Sequence, residues 1–212
     1  YERIIRMMSH EVNNSIGAIG ATLNVVSDIL RQTQDSDWQD VLPAVSASFE
    51  RCGNLARFTS KLADVVRIPE PVRADLSLNE LVRSVDALTR IECRKRNISL
   101  SLSLADPDTI IRADGIQLEQ VLVNIVKNAY EAIGHDGRIR IVTTADPPSV
   151  TVEDNGPGIP EEIRKQLFTP FFTTKPSGQG IGLMFVREVL NNHRMAFSLT
   201  SQNGCTRFEI SV

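Results

Sequence analysis

The chain has 212 residues, of which 42% are apolar, and a net charge of −3. This length can bury a hydrophobic core in one or two domains. Acidic and basic residues are interspersed, so we expect no nucleic-acid partner and no direct membrane contact through a basic patch. No apolar run reaches the roughly 18 residues of a membrane span, so we expect the cytoplasmic part of a longer protein that is either membrane-anchored or free.

The first predicted element is a helix over residues 4 to 31. Its apolar residues recur every three or four positions on one face, as in an amphipathic helix: Ile5, Met8, Val12, Ile16, Ile19, Leu23, Val26 and Leu30. At roughly 100° per residue, His10 lies about 160° from the centre of this stripe. Asn14, Gly17 and Ala21 continue the His10 face with small or polar side chains. This helix alone fits either an ordinary surface histidine or a reactive imidazole beside an open docking surface.

A second helix follows a polar turn at residues 34 to 37 and ends before Pro69. Its apolar residues repeat in the same way: Leu42, Val45, Phe49, Cys52, Ala56, Thr59, Leu62 and Val66. The two helices predict an antiparallel hairpin over residues 1–70. One hairpin cannot bury both stripes, so we expect a homodimer in which two chains form a four-helix bundle.

Residues 71–212 predict a second domain after the Pro69 to Pro71 linker. We expect helices at 77–97, 115–134 and 181–192, and strands at 98–104, 109–112, 138–145, 149–154, 196–202 and 205–212. The predicted inward face of the first of these helices contains Leu78, Leu81, Val82, Val85, Leu88 and Ile91. The expected fold class is α+β: a long helical hairpin followed by an α/β sandwich with a mixed sheet.

Two amides on the helix at 115–134 need partners. Asn124 and Asn128 are four residues apart on one face of an otherwise apolar element, and burying either without a hydrogen bond costs of order 1 to 3 kcal/mol. Neutral oxygen ligands of this kind hold Mg²⁺ together with phosphate oxygens. A pair of satisfied structural amides is the alternative.

Three further segments indicate a nucleotide site. Asp154 ends a strand and is followed by Gly156 and Gly158, an arrangement that suits adenine recognition but also occurs in simple turns. The segment 167–175 contains Phe172, Thr174 and Lys175. It is followed by Gly178, Gly180 and Gly182 before a helix N-terminus, where backbone N–H groups can bind phosphate. The glycine spacing excludes the dinucleotide fingerprint, and no Walker loop is present.

In this order and spacing, these segments resemble the N, G1, F and G2 boxes of the ATP-binding domain shared by sensor histidine kinases, gyrase-type topoisomerases, the heat-shock chaperone ATPase and mismatch-repair ATPases. Met8-Ser9-His10-Glu11 resembles the H box of two-component histidine kinases. The segments 128–132 and 170–175 look most like the nitrogen-regulation branch. The resemblance covers essentially the whole chain, with one departure: Ser15 stands where the family commonly has proline, so we expect a straighter helix.

The resemblance implies a GHKL-type ATP-binding domain over 71–212 and a dimerisation and phosphotransfer hairpin over 1–70. His10 would accept the phosphoryl group, Glu11 would orient its ring, and Asn14 would serve dephosphorylation of a response regulator. ATP and Mg²⁺ are the implied ligands, with Asn124 and Asn128 on the metal. The implied nucleotide-binding residues are Asn124, Lys127, Asn128, Asp154, Gly156, Gly158, Ile159, Phe172, Thr174, Lys175, Gly178, Gly180, Ile181, Gly182 and Leu183. The segment 159–178 would be the lid over ATP.

The leading hypothesis is therefore an ATP-dependent protein-histidine kinase that passes phosphate from His10 to an aspartate of a response regulator. A non-catalytic or phosphatase-only dimer that docks the regulator is the alternative, and an ATPase clamp of the gyrase type is a third. We expect Cys52, Cys93 and Cys205 to be small core residues, and His135 and His193 to be ordinary turn and helix-end residues.

Overall fold

The computed structural model describes the backbone of residues 2–32, 41–66, 68–164, 166–169, 172–175, 180–202 and 204–212. The side chains of residues 2–11, 13, 31–32 and 57–66 are not described. The chain forms two compact units, Tyr1–Ile68 and Pro69–Val212. The turn predicted at residues 34 to 37 lies outside the described residues.

The first unit consists of two long helices that pack against each other, α1 (Glu2–Gln32) and α2 (Val41–Val66). Helix α1 continues through Ser15 without a break, as expected in the absence of proline. Its buried residues include Ile16, Gly20 and Ser27. A side chain at Gly20 would lie 3.8 Å from the Phe49 ring, so this glycine allows the helices to approach closely.

The predicted apolar stripe of α1 is only partly buried. Ile16 is buried, but Ile19 is 52% exposed and Val26 is 37% exposed. Val25, outside the predicted stripe, is 58% exposed. Helix α2 therefore covers only part of the apolar surface that α1 presents.

The second unit is built on a five-stranded mixed sheet with the strand order β2-β4-β5-β7-β6. Its strands are β2 (Ile98–Ser103), β4 (Gly137–Ala145), β5 (Pro148–Asp154), β6 (Ala196–Gln202) and β7 (Cys205–Ser211). Strand β2 is parallel to β4, and the other neighbouring strands are antiparallel. The predicted mixed sheet is confirmed.

Three helices cover this sheet: α3 (Leu78–Lys95), α4 (Gly115–Ile133) and α6 (Gly182–His193). Helix α4 packs against both α3 and α6, and its apolar side chains are buried, including Val121, Leu122 and Val126. Helix α3 begins at Ser77, whose hydroxyl accepts a hydrogen bond from the Glu80 N–H. Helix α4 ends at Gly134, where φ is +77° and a side chain would be strained.

Two elements were missed by the sequence prediction. Strand β1 (Ala74–Ser77) pairs with β3 (Ile110–Ala113) in a separate two-stranded sheet. Helix α5 (Glu161–Arg164) is a single turn inside the predicted lid. No helix in the described part of the chain is long and apolar enough to cross a membrane.

Some predicted core positions are wrong. Leu88 and Ile91 of α3 are 58% and 66% exposed, whereas Thr89 and Cys93 are buried in their place. The buried face of α3 moves from Val85 to Thr89 and Cys93 in steps of four residues, so it departs from the apolar pattern. Of the three cysteines, Cys93 is buried, Cys52 is half-buried and Cys205 is exposed.

Candidate functional site

The last residue of β5, Asp154, places a carboxylate at the floor of the candidate site. Asp154 is 9% exposed, and its Oδ1 accepts a hydrogen bond of 2.9 Å from the Gly156 N–H. Burial raises the pKa of Asp154, and the Gly156 hydrogen bond offsets part of this rise. A buried carboxylate with one oxygen engaged leaves the other able to accept from an amino group such as that of adenine.

The glycines after Asp154 are required by close contacts. A Cβ at Gly156 would lie 2.8 Å from the Asp154 Oδ1. Gly158 has φ of +83°, and a Cβ there would lie 2.9 Å from the Ser201 Oγ. The Ser201 hydroxyl also accepts a hydrogen bond of 2.9 Å from the Ile159 N–H, which fixes this loop to β6.

The two amides of α4 are half-buried and point to different neighbours. The Nδ2 of Asn124 donates to the Gln120 carbonyl at 2.9 Å, and a Cβ at Gly182 would lie 3.5 Å from the Asn124 Oδ1. The Oδ1 of Asn128 accepts a hydrogen bond of 3.1 Å from the Lys175 Nζ. Asn124 is therefore directed to the start of α6, and Asn128 to the lid.

Lys175 also forms an ion pair with Glu131, one turn beyond Asn128 on α4. The other oxygen of Glu131 lies 3.8 Å from the Lys127 Nζ. Lys127 is exposed, whereas Lys175 and Glu131 are half-buried. A carboxylate thus lies between the two lysines that were predicted to meet nucleotide.

The start of α6 offers backbone donors. Gly180 has φ of +65°, Ile181 is the N-cap residue, and the helix proper begins at Gly182 and Leu183. The Ile181 side chain has no polar atom with which to cap the helix, so the first N–H groups remain suited to a phosphate oxygen. Gly178 lies outside the described residues.

The predicted lid contacts the rest of the second unit at its middle and near its end, in addition to the Ile159 contact at its start. At its middle, the Phe168 ring lies 5.3 Å from the Phe197 ring on β6 and 6.4 Å from the Phe208 ring on β7, centroid to centroid. At its end, Lys175 is bound to α4. Phe172 is half-buried and Thr174 is exposed between these attachments.

The residues predicted for the hairpin site lie on α1. The backbone of His10 and Glu11 is helical, but their side chains lie outside the described residues. Asn14, Gly17 and Ala21 are exposed, and a Cβ at Gly17 would meet nothing within 4 Å. This part of α1 is therefore polar and sterically open.

Three residues near the site were not predicted. Ser201 and Glu131 contact the loop and the lid as described above, and Thr206 lies opposite Asp154 in the pairing of β7 with β5. Glu131 could have been found as the residue one turn beyond Asn128 on the same helix face. The other two depend on strand pairing, which the sequence does not specify locally.

The remaining histidines lie away from the site. His135 is an exposed turn residue, as expected. His193 is buried: its Nε2 accepts from the Asp114 N–H at 3.1 Å, and its Nδ1 lies 2.8 Å from the Val189 carbonyl. Both ring nitrogens of His193 therefore have partners inside the second unit.

Taken together, the second unit presents a buried carboxylate, two amide oxygens, a lysine and a helix N-terminus without a side-chain cap around one face of α4. The order of these groups along the chain is that of the N, G1, F and G2 boxes, and the fold is a mixed sheet covered by three helices. These features define an ATP-binding domain preceded by a helical hairpin.

Comparison with known proteins leads to the same class. The family described as "Histidine kinase-, DNA gyrase B-, and HSP90-like ATPase" matches residues 113–212. Sensor protein FixL of Bradyrhizobium diazoefficiens is 30% identical over 206 residues, which cover 94% of this chain and 41% of FixL. The chain thus spans about two fifths of the length of this curated relative.

Solved structures extend the match. The catalytic domain of histidine kinase ThkA is 35% identical with a TM-score of 0.61, and the match covers 66% of this chain and 94% of that domain. The crystal structure of ThkA in complex with response regulator protein TrrA is 25% identical with a TM-score of 0.68, covering 99% of this chain and 60% of that one. The chain belongs to the sensor histidine kinases.

Proposed function

We propose that this chain is the kinase core of a two-component sensor, which uses ATP to phosphorylate His10 and then passes the phosphoryl group to an aspartate of a response regulator. The observation that carries the proposal is the 3.1 Å contact between the Lys175 Nζ and the Asn128 Oδ1. It brings the lid and α4 together at one edge of the site, with Asn124 beside the start of α6.

In the ATP-binding unit, the Asp154 carboxylate accepts a hydrogen bond from the adenine amino group. The triphosphate then extends along α4 to Lys175 and the N–H groups at Gly180 and Gly182, which together neutralise its charge. Gly156 and Gly158 allow the loop to approach the base, and Ile159, Phe172, Thr174, Ile181 and Leu183 line its surroundings.

Asn124 and Asn128 are proposed to hold Mg²⁺. The fit rests on chemistry that the structure displays: the Asn128 Oδ1 already accepts a cationic ammonium group, and the Asn124 Nδ2 is turned to Gln120, which frees its oxygen. Among the described residues, no group of three or more His, Cys, Asp or Glu side chains could hold a metal. A cation held by these two amides would be bound partly through phosphate oxygens, whose charge it would neutralise.

The phosphoryl transfer itself needs one nucleophile. A neutral His10 ring attacks the γ-phosphorus with one nitrogen, a nitrogen–phosphorus bond forms, and the bond to the departing ADP oxygen breaks. Glu11 accepts a hydrogen bond from the other ring nitrogen and keeps the ring oriented. The aspartate of the response regulator then takes the phosphoryl group and releases neutral His10.

The hairpin is proposed to be both the dimer interface and the docking surface. Exposed Ile19, Val25 and Val26 on α1 are apolar, which suits a four-helix bundle of two chains. Gly17 and Ala21 leave room for the regulator, and Asn14 is suited to orient a water molecule for the reverse reaction, dephosphorylation of the regulator. Membership of the nitrogen-regulation branch stays a prediction from residues 128–132.

The direct test is incubation of the full chain with γ-labelled ATP and Mg²⁺, beside His10→Gln and Asp154→Asn. We expect acid-labile, alkali-stable label on the wild type, which is the behaviour of phosphohistidine. We expect no label on either variant, while His10→Gln retains ATP binding.

Two outcomes would overturn the proposal. Label that persists in His10→Gln would place the phosphoryl group elsewhere. ATP binding without any label in the wild type would favour a phosphatase-only or non-catalytic module that docks the regulator. Added receiver protein should remove label from the wild type within the assay.

A further inference from the structure

Glu131 has no role in the proposed function, yet it lies in the middle of the cationic side of the site. Its carboxylate forms an ion pair with Lys175 through one oxygen and lies 3.8 Å from the Lys127 Nζ through the other. Asn124, Asn128 and Glu131 follow one another at four and three residues along α4, so they share one face of the helix.

The ion pair means that a phosphate can reach Lys175 only beside the Glu131 carboxylate, through the N–H group that the ammonium has left. The ammonium donates to both the Glu131 carboxylate and the Asn128 Oδ1. It thus occupies the oxygens of α4 much as a bound cation would. A phosphate that binds Lys175 also comes close to the negative charge of Glu131, because the two side chains form an ion pair.

This arrangement disfavours a highly charged nucleotide. Free ATP carries more negative charge than its Mg²⁺ complex, so the repulsion by Glu131 is stronger for free ATP. A divalent cation held by Asn124 and Asn128 would neutralise part of the phosphate charge and so would reduce this repulsion. The half-buried position of Glu131, at 28% side-chain exposure, limits screening of these charges by water.

We propose that Glu131 is a specificity-determining residue that positions Lys175 against α4 and makes the site select Mg²⁺-bound ATP over free ATP. The inference rests on the proposed function, because it takes Lys175 as a phosphate ligand. Glu131 acts here through its charge and through the position of Lys175, not through the reacting atoms.

The test is the affinity of the full chain for the non-hydrolysable β,γ-imido analogue of ATP, measured calorimetrically with excess Mg²⁺ and with a chelator. The quantity of interest is the ratio of the dissociation constant without Mg²⁺ to that with Mg²⁺. We expect Glu131→Gln to lower this ratio about tenfold, mainly through tighter binding of the free nucleotide. Glu131→Asp keeps the charge, so it should retain most of the wild-type ratio.

Two further variants separate this role from a structural one. Lys175→Gln leaves the Glu131 charge without its partner in the lid, so the ratio should rise, opposite to the effect of Glu131→Gln. Glu92→Gln is the matched control, because Glu92 on α3 pairs with Lys95 at 3.2 Å and Arg96 at 3.6 Å. It should leave the ratio unchanged.

An unchanged ratio in Glu131→Gln, with the wild type binding the analogue, would overturn this inference and leave the proposed function intact. A fall in the ratio that also appears in Glu131→Asp would overturn it too, because the charge would then be irrelevant. A wild type that does not bind the analogue at all would contradict the proposed function itself.

Discussion

The helices α1 and α4 are both amphipathic, and both carry polar residues that are assigned to the proposed reaction. The surroundings of their apolar faces differ. Helix α4 lies between the sheet, α3 and α6, and Val121 and Val126 are fully buried. Helix α1 packs against α2 in its own unit, and Ile19 and Val25 remain more than half exposed. The core of the ATP-binding unit is thus enclosed by its own elements, whereas α2 leaves apolar side chains of α1 exposed.

The same difference is seen at the glycines. In the ATP-binding unit, a Cβ at Gly137 would lie 2.4 Å from the Ile133 Cγ2 and 2.9 Å from the Asn155 Oδ1. On α1, a Cβ at Gly17 would have open space around it. The packing of the second unit therefore requires glycine at position 137. The described packing of the hairpin does not require glycine at position 17.

The largest effect is expected from Asp154→Asn in the ATP-binding unit. The amide presents N–H groups where the adenine amino group needs an acceptor, so ATP affinity should fall by about 100-fold or more, near 3 kcal/mol. Calorimetric titration would measure it. An affinity within a few-fold of wild type would show that Asp154 does not read the base.

The same variant should be more stable than the wild type in the absence of nucleotide. Burial raises the pKa of Asp154, so this residue stabilises the fold when protonated and loses that contribution as pH rises through the raised pKa. Asparagine stays neutral and can still accept from Gly156. In urea unfolding, the free energy of unfolding of Asp154→Asn should exceed that of the wild type by about 1 kcal/mol at about pH 7. This difference should disappear at about pH 4.

ATP binding by the wild type should show the corresponding pH dependence. One Asp154 oxygen accepts from the Gly156 N–H and the other is left for adenine, so a protonated Asp154 has one acceptor too few. Because burial raises the pKa of Asp154, affinity should decline on acidification, beginning above the pH at which an ordinary aspartate titrates. Titration of affinity against pH would test this, with Asp154→Asn as the control that has lost the dependence.

On the hairpin, Ile19→Asp should weaken dimerisation. A carboxylate on an exposed apolar position that is buried on assembly loses transfer free energy and leaves an unpaired charge, so the dimer constant should weaken about 30-fold or more. Sedimentation equilibrium measures the constant. Leu88→Asp is the control, because Leu88 is similarly exposed, at 58%, on α3 of the other unit.

ATP affinity should stay within about twofold of wild type in Ile19→Asp, since the ATP-binding unit has its own core. A wild-type chain that is monomeric at all accessible concentrations would contradict the four-helix bundle. A variant that loses ATP binding together with dimerisation would contradict the independence of the two cores.

The accuracy with which the sequence predicts secondary structure and burial also differs between regions of the molecule. Helix α4 and strands β2, β4 and β5 were predicted almost to the residue, because their periodicity is strong and their burial agrees with it. Strand β1 was missed because Ala74–Ser77 has no alternation of its own, and it is fixed by pairing with β3 more than 30 residues away. Leu88 and Ile91 were misplaced because periodicity shows which residues are apolar but not which face has a neighbour.

The composition of the candidate site was predicted better than its contacts. Asp154, Asn128 and Lys175 were assigned to the candidate site from motif order, and their roles stay predictions. The pairing of Lys175 with Glu131 was not predicted, because it joins residues 44 positions apart through an irregular loop. The Ser201 contact with Ile159 likewise depends on where β6 ends. Such contacts follow from tertiary structure, which local patterns do not encode.

A smaller effect is expected from Gly137→Ala. The added methyl group would overlap the branched Ile133 side chain and the Asn155 amide, so the second unit should lose about 1 to 3 kcal/mol of stability. Asn155 also accepts a hydrogen bond of 2.7 Å from the Arg138 N–H, so its displacement should move the loop after Asp154. Peptide-resolved hydrogen exchange can localise the loss; protection unchanged in α4 and β4 would contradict it.

The smallest effect on stability is expected from Gly17→Ala, which should stabilise α1, whereas Gly137→Ala should destabilise the second unit. A Cβ at this position meets nothing, and alanine loses less backbone entropy than glycine in a helix, so α1 should gain about 0.5 to 1 kcal/mol. Hydrogen exchange of α1 peptides measures the gain, with Gly20→Ala as the contrast because Phe49 lies 3.8 Å from its Cβ position. If Gly17→Ala instead destabilises the dimer, the Gly17 face is part of the bundle interface, and the surface assigned to the response regulator must lie elsewhere on the hairpin.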